Sequence, residues 1–277
     1  MPEGPEVAVV AAGVHKGLPT IFEAATIIEN VPGKLHRYSK KKPKNWDVIA
    51  NNRFEMLRVR TKGKLILIDI ETLPNREPWV LLITLGMSGD LRWNSANHKH
   101  TRFAFLQHGR DLSFVDTRCF GTLRIVTPQE AREAESKIGW DFLKAPAPKE
   151  YWKQTKTTLS KKPIGPVLLN QKYFGGIGNI YKSEVIHRCR IHPSIPVKEI
   201  PDTKWERLNE TIHAILLESY KLKGCSVVDF TADGVEGQAQ QLLQVYMKNK
   251  CPKNHPIKTI KQEDRTTWYC PECQTKD

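Results

Sequence analysis

The chain has 277 residues, enough for more than one domain and for a sizeable buried core. Lysine and arginine total 43 against 30 aspartates and glutamates, a net charge of +13, which points to a polyanionic partner, nucleic acid first. No run of about 18 apolar residues could cross a membrane, and the N-terminus lacks the basic and then apolar order of a secretory signal. The expected location is therefore intracellular, in a compartment that holds nucleic acid (nucleus or cytoplasm), with no membrane partner.

The chain begins MPEGPEV. If Met1 is removed, Pro2 presents a secondary amine. An α-amino group has a pKa near about 8, against about 10.4 for lysine, so a useful fraction is unprotonated at neutral pH and can attack a carbonyl carbon. A secondary amine yields a charged iminium, which is a strong electron sink. Glu3 follows as a carboxylate able to move protons beside that nucleophile. Residues 5–17 predict a helix rich in Ala and Val and closed by a glycine. From about residue 24 to 127 the texture changes to short β-type runs: ATIIENV, RFEMLRVR, KLILIDIE, WVLLITLGMSG, TRFAFLQ, DLSFV and GTLRIV. Turn signals at Lys62-Gly63-Lys64, Pro74-Asn75 and His108-Gly109-Arg110-Asp111 separate them, and the pattern predicts a sandwich or barrel. Residues 39–45 (SKKKPKN) read as a basic loop.

Ala145-Pro146-Ala147-Pro148 reads as a stiff linker, after which the spacing turns helical: KEYWKQTKTTLS, PIGPVLLNQ, NIYKSEVIHRCR and TKWERLNETIHAILLESYKLK. Between two of these helices, Gly175-Gly176-Ile177-Gly178-Asn179 predicts a turn, with Asn179 as a candidate helix cap and bare N–H groups suited to a phosphate. Six cysteines are present; Cys119, Cys189 and Cys225 are scattered. The others form Cys251-x3-His255-x14-Cys270-x2-Cys273, two ligand pairs a hairpin apart, which suits one tetrahedral zinc ion. Trp268-Tyr269 reads as a strand entering that hairpin. Scattered and clustered thiols of this kind suit a reducing compartment better than a disulfide framework.

Five strings, in order, resemble the Fpg/Nei family of DNA glycosylases: MPEGPEV, TLGMSGDLRW, VDTRCFG, GGIGNIYKSE and RTTWYCPECQ. The Cys-x3-His half of the finger is similar to a Nei-like (endonuclease VIII-like) branch whose finger uses three cysteines and one histidine. A histidine that the family carries before LGMSG is Thr84 here. The resemblance implies an α+β chain of two domains: an N-terminal helix and β-sandwich, then a helical domain with a helix-two-turn-helix and a zinc-ribbon finger. The expected division is 1–128 for the catalytic domain, 129–148 for the linker, 149–248 for the helix-two-turn-helix domain and 249–277 for the finger. It implies damaged DNA, duplex, bubble or single-stranded, as the partner of a monomer. Pro2, Glu3 and Lys64 would be catalytic, with Glu6 near the nucleophile. Met87, Arg118 and Phe120 would fill the hole left by a flipped base. Asn179 and Arg265 would grip phosphates.

The activity implied is that of a bifunctional DNA glycosylase and AP lyase of base excision repair, cutting the strand by β,δ-elimination through a proline Schiff base. Oxidised pyrimidines are the expected lesions. Gly4 stands where purine-preferring members carry a bulkier residue, Cys119 replaces an arginine common among them, and the finger is of the Cys3His type. The alternatives are a purine-preferring enzyme acting on 8-oxoguanine and formamidopyrimidine, and a non-catalytic binder of damaged or single-stranded DNA.

Overall fold

A computed structural model of the chain describes residues 2–28, 41–225 and 236–276. Met1, the end of the expected strand over 25–31 and the first two residues of the basic loop over 39–45 lie outside the described residues. Helix α1 (Gly4–His15) starts on a proline in its first turn and buries Val7, Val10 and Val14. Two antiparallel sheets follow. One orders its strands β1 (Thr20–Phe22), β3 (Phe54–Lys62), β4 (Leu65–Thr72), β5 (Pro78–Thr84) and β9 (Thr122–Val126). The other runs β2 (Ala24–Ile27), β7 (Thr101–Gln107), β8 (Arg110–Asp116) and β6 (Gly89–Trp93). The short helix α2 (Asp47–Ala50) buries Ile49 in the core between them.

Strand β4 shows why its first four residues are all apolar rather than alternating. Ile66, Ile68 and Ile70 face the main core with Phe54, Phe103 and Phe114, whereas Leu65 and Leu67 face a second cluster with Val80, Leu82 and Ala131. Helix α3 (Pro128–Ser136) supplies Ala131 and covers that outer face. All but its first residue lies within the stretch 129–148 expected as a linker. Its apolar content is too small to show helical periodicity, but Thr127 and Glu130 start it reciprocally: the Glu130 amide donates to Thr127 Oγ1 and the Thr127 amide to Glu130 Oε2. The run expected as one strand over 79–89 divides between β5 and β6. Gly86 turns the chain there with φ +63, and a Cβ on it would meet the backbone of Phe120 at 2.6 Å.

The helical region comprises α4 (Lys149–Thr158), α5 (Ile164–Val167), α6 (Asn179–Arg188) and α7 (Asp202–Lys221) around a core of Phe142, Trp152, Phe174, Tyr181 and Trp205. The Trp152 and Trp205 rings stack with centroids 4.4 Å apart. The Ala-Pro segment is clamped: Asn209 Oδ1 accepts the Ala147 amide and Asn209 Nδ2 donates to its carbonyl, both at 2.8 Å. Short strands β10 (Trp140–Asp141) and β11 (Phe174–Gly175) pair in parallel. The chain ends in the hairpin β12 (Lys258–Gln262) and β13 (Arg265–Tyr269), closed by Glu263 and Asp264, both at positive φ. No described helix is long and apolar enough to cross a membrane.

Candidate active site and metal centre

The N-terminal residues are buried where the two halves of the chain meet. Glu3 is 1% exposed and its carboxylate sits on the start of α6, some 175 residues along the chain. Oε2 accepts the amides of Gly178 at 2.8 Å and Tyr181 at 3.3 Å, and Oε1 accepts that of Ile180 at 2.9 Å. The first amides of a helix have no partner within it and carry partial positive charge. Here a carboxylate from the other half of the molecule takes them. This corrects two expectations for the glycine-rich turn. Asn179 is not the cap, because Gly178 occupies that position and Asn179 is the first helical residue. Nor are these amides free for a phosphate. Gly178 is required by the close approach: a Cβ there would lie 2.3 Å from Glu3 Cδ.

Glu6 sits one turn on. Its Oε1 accepts the Tyr181 hydroxyl at 2.6 Å and the Cys225 amide at 2.8 Å, and its Oε2 accepts the Glu3 amide at 2.9 Å. Lys64 is half-buried at the end of the β3–β4 turn. That turn is tied to the helical half by the Gly63 amide, which donates to Asp141 Oδ2 at 3.3 Å. Burial pushes the Glu3 carboxyl above its ordinary value, against the pull of Lys64. Burial likewise lowers the Lys64 ammonium, opposed by Glu3 and Glu6 and assisted by Arg265. An acid and a base whose protonation states are brought closer together can exchange protons near neutral pH.

The far end of the cleft is formed by the finger. Asn179 donates from Nδ2 to the Thr266 carbonyl at 2.9 Å. Lys182, which is fully buried, donates to Asn179 Oδ1 and to Thr267 Oγ1, each at 2.7 Å, so it joins α6 to β13. Burial lowers its pKa to about 8. Arg265 stands exposed at the hairpin tip. On the sandwich side, buried Asp116 shapes the loop that follows β8. Its Oδ1 accepts Ser88 Oγ at 2.6 Å and the Arg118 amide at 3.1 Å, and its Oδ2 accepts the Gly121 amide at 2.8 Å. This pins the Met87 turn to the Arg118–Phe120 loop. Phe120 is 52% exposed, and the Arg118 guanidinium lies 5.6 Å from its ring centroid.

Cys251, His255, Cys270 and Cys273 converge with their ligand atoms all within 4.8 Å of one another. Cys270 Sγ and Cys273 Sγ lie 3.7 and 3.4 Å from His255 Nδ1. Bonds of about 2.3 Å to sulfur and 2.0–2.1 Å to nitrogen place tetrahedral ligands about 3.5–3.8 Å apart, so the set fits a metal ion of zinc's size and softness. Gln274 anchors the finger: its Oε1 accepts the Cys270 amide and its Nε2 donates to the Ile191 carbonyl, both at 2.8 Å.

Residues 1–123 match the formamidopyrimidine-DNA glycosylase N-terminal domain and residues 138–231 the formamidopyrimidine-DNA glycosylase H2TH domain. A formamidopyrimidine-DNA glycosylase of Pelotomaculum thermopropionicum is 31% identical over 286 residues, covering 99% of each chain. The chain belongs to the formamidopyrimidine-DNA glycosylase family. The crystal structure of the MutM (Fpg) protein from Thermus thermophilus superposes with a TM-score of 0.82 at 27% identity over the whole of both chains. The wild-type Lactococcus lactis Fpg (MutM), solved in complex with DNA containing an oxidised pyrimidine, gives 0.81 at 26% identity and covers 99% of this chain and 100% of that one. This glycosylase is accordingly a DNA glycosylase and AP lyase of base excision repair, and its substrate is DNA.

Of the sequence-predicted site residues, Pro2, Glu3 and Lys64 come together at the junction of the two halves. Asn179 and Arg265 frame the finger side. Met87, Arg118 and Phe120 form a separate group on the sandwich. The sequence reading passed over Asp116, Asp141, Tyr181 and Lys182. Asp116 and Lys182 stand inside strings that carried the resemblance (VDTRCFG and GGIGNIYKSE), but their side-chain roles depend on partners distant in the chain. Gly4 gains a packing reason: its amide donates to the Gly176 carbonyl at 2.8 Å, and a Cβ would crowd Gly176 Cα at 3.2 Å.

Proposed function

We propose that this glycosylase acts through Pro2, made N-terminal by removal of Met1. The Pro2 nitrogen attacks C1′ of the flipped nucleotide. Glu3 protonates the sugar ring oxygen, the C1′–O4′ bond opens, and the damaged base leaves. The iminium between Pro2 and C1′ then acidifies C2′. Loss of that proton expels the 3′-phosphate, and a second elimination expels the 5′-phosphate, leaving a one-nucleotide gap. Lys64, beside both carboxylates, suits proton transfer during these steps. The observation that carries this reading is the buried Glu3 carboxylate, held on the α6 amides one residue from the nucleophile with its pKa raised by burial. Sodium borohydride trapping on abasic DNA tests it: the wild type is expected to form a covalent adduct and Pro2→Gly or an N-terminally blocked protein is not. Full trapping by a blocked protein would refute the assignment.

Around that centre, Met87, Arg118 and Phe120 wedge into the duplex, while Asn179 and Arg265 hold the backbone. One zinc ion sits on Cys251, His255, Cys270 and Cys273, where it would brace the β12–β13 hairpin that carries Arg265. The working division stays 1–128, 129–148, 149–248 and 249–277, and the enzyme is taken to act as a monomer. Metal analysis of the purified chain is expected to give one zinc per molecule, and less in His255→Ala.

Oxidised pyrimidines are the favoured lesions. Cys119 cannot make a charged contact with the backbone or the opposite base as an arginine would. The Cys3His finger supports this choice, whereas the Lactococcus lactis protein has been solved both with an oxidised-pyrimidine DNA and, as a point mutant, with a Fapy-dG DNA, so it favours neither lesion class. The names of the curated relatives favour a second reading, formamidopyrimidine and other oxidised purines. A single-turnover lesion panel separates them: faster release of 5-hydroxyuracil than of 8-oxoguanine opposite cytosine supports the first, and the reverse order supports the second.

A further inference from the structure

We infer that a hollow at the C-terminal end of α6, outside the cleft, binds a phosphate group. The hollow has a volume of about 480 Å³ and lies between the end of α6, the middle of α7 and the first knuckle of the finger. Arg188, Arg190, Arg207 and Lys253 line it together with His187, Gln244 and two of the metal-site cysteines, Cys251 and Cys273, and among the described residues no carboxylate lines it. Among the described residues none of these four cations forms an ion pair. Cations gathered without carboxylates repel one another, and an anion between them removes that cost.

Just beneath its surface, two buried polar atoms, His187 Nε2 and Arg188 Nε, have no hydrogen-bond partner among the described residues. His187 is only 8% exposed and its Nδ1 lies 3.1 Å from Gln244 Oε1; Arg188 places one Nη on the Leu242 carbonyl at 3.0 Å. Buried polar groups of this kind are nearly always satisfied, by protein, water or a ligand. Guanidinium groups pair with phosphate in a bidentate fork, and here three come from two helices and the turn between them. Two local explanations fall short. Cations in the last turn of α6 complement its dipole, which accounts for Arg188 but not for Arg190, Arg207 and Lys253. The neighbouring metal centre, with three thiolates around a divalent ion, would carry about one negative charge, too little to balance four cations. At a rise of about 1.5 Å per residue, the hollow lies roughly 13 Å along α6 from Asn179.

The phosphate could belong to a free nucleotide or to a DNA backbone running beyond the cleft, and one set of proteins distinguishes them. Zinc-loaded full-length enzyme is titrated with inorganic phosphate, with a nucleoside monophosphate, and with short and long duplexes holding the same abasic-site analogue. Calorimetry reads the affinity, and long-range nitrogen NMR reads the His187 ring. Phosphate is expected to shift the His187 resonances of the wild type. An Arg190→Gln/Arg207→Gln protein should bind phosphate about tenfold or more weakly while keeping its zinc and its base-excision rate on the short duplex. Selective weakening on the long duplex assigns the site to DNA, and selective weakening with the nucleotide assigns it to the small ligand. Absence of phosphate binding at millimolar concentration, or equal binding by the doubly substituted protein, would overturn the inference.

Discussion

The two ends of α6 are built on opposite principles. At the N-terminal end the buried carboxylates are engaged: three amides converge on Glu3, and Glu6, Tyr181 and Ser219 complete a buried chain of hydrogen bonds. At the C-terminal end, among the described residues, cations gather without counterions and two buried nitrogens stay unpartnered. The first arrangement holds a reactive carboxyl in one place, since a carboxylate taking several amides has little freedom left. The second is incomplete by itself and becomes favourable only when something negative arrives. One helix thus separates a pre-organised centre from a surface waiting for a partner.

The contrast can be tested in order of expected effect. Glu3→Gln should lower the base-excision rate most, by about 10²–10⁴-fold, because it removes the proton-transfer group and turns an amide nitrogen toward helix amides that need an acceptor. A single-turnover rate within a few fold of the wild type would show that the helix-capping role is the larger one. Gly178→Ala should cost about 1–3 kcal/mol of stability by forcing Glu3 off the helix, read as a lowered Tm together with a reduced excision rate. An unchanged melt would mean that the approach of Glu3 to α6 is looser than its hydrogen bonds indicate.

Lys182 gives a pH signature. Its folded pKa of about 8 lies below the unfolded value of 10.5. Between those two values the unfolded chain binds more protons, so this group's contribution to stability improves as pH rises from about 8 to 10.5. Below pH 8 the folded protein keeps the ammonium buried at a cost of about 3 kcal/mol. A DNA phosphate beside Asn179 and Arg265 would favour the charged form, so binding takes up a proton above pH 8. Affinity for a non-cleavable abasic analogue should therefore fall as pH rises through about 8, by at most about tenfold per unit, and Lys182→Met should flatten that slope. Equal slopes in the two proteins would remove Lys182 from the phosphate grip. Smallest is Arg188→Ala, expected to lower stability by about 0.5–1.5 kcal/mol through the lost hydrogen bond to the Leu242 carbonyl and the helix dipole, measured by denaturant titration.

Much of the sandwich was legible in the chain because strand signals are local. The runs at TRFAFLQ and DLSFV coincide with β7 and β8 to within a residue. The finger was legible for the same reason, since ligand spacing and the Trp268-Tyr269 strand lie within one short stretch. Helix α3 escaped because it buries only Ala131, so burial there left no periodic mark on the sequence.

Sequence by itself determined the residue types and their spacings: a proline and a glutamate at the start, three cysteines and a histidine at the end, and a glycine-rich turn before α6. Tertiary structure decided what those groups do to one another. The glycine turn was open to a phosphate on local grounds, yet its amides belong to Glu3 because the residue that starts α1 is brought to the start of α6. Lys182 looks from its neighbours like one more surface cation, yet it is buried between Asn179 and Thr267 because β13 folds over α6. Charge and hydrogen-bonding capacity are written residue by residue, but a pKa or a role depends on burial and on which charges and hydrogen-bond partners lie within a few ångströms, and for this enzyme those partners come from opposite ends of the chain.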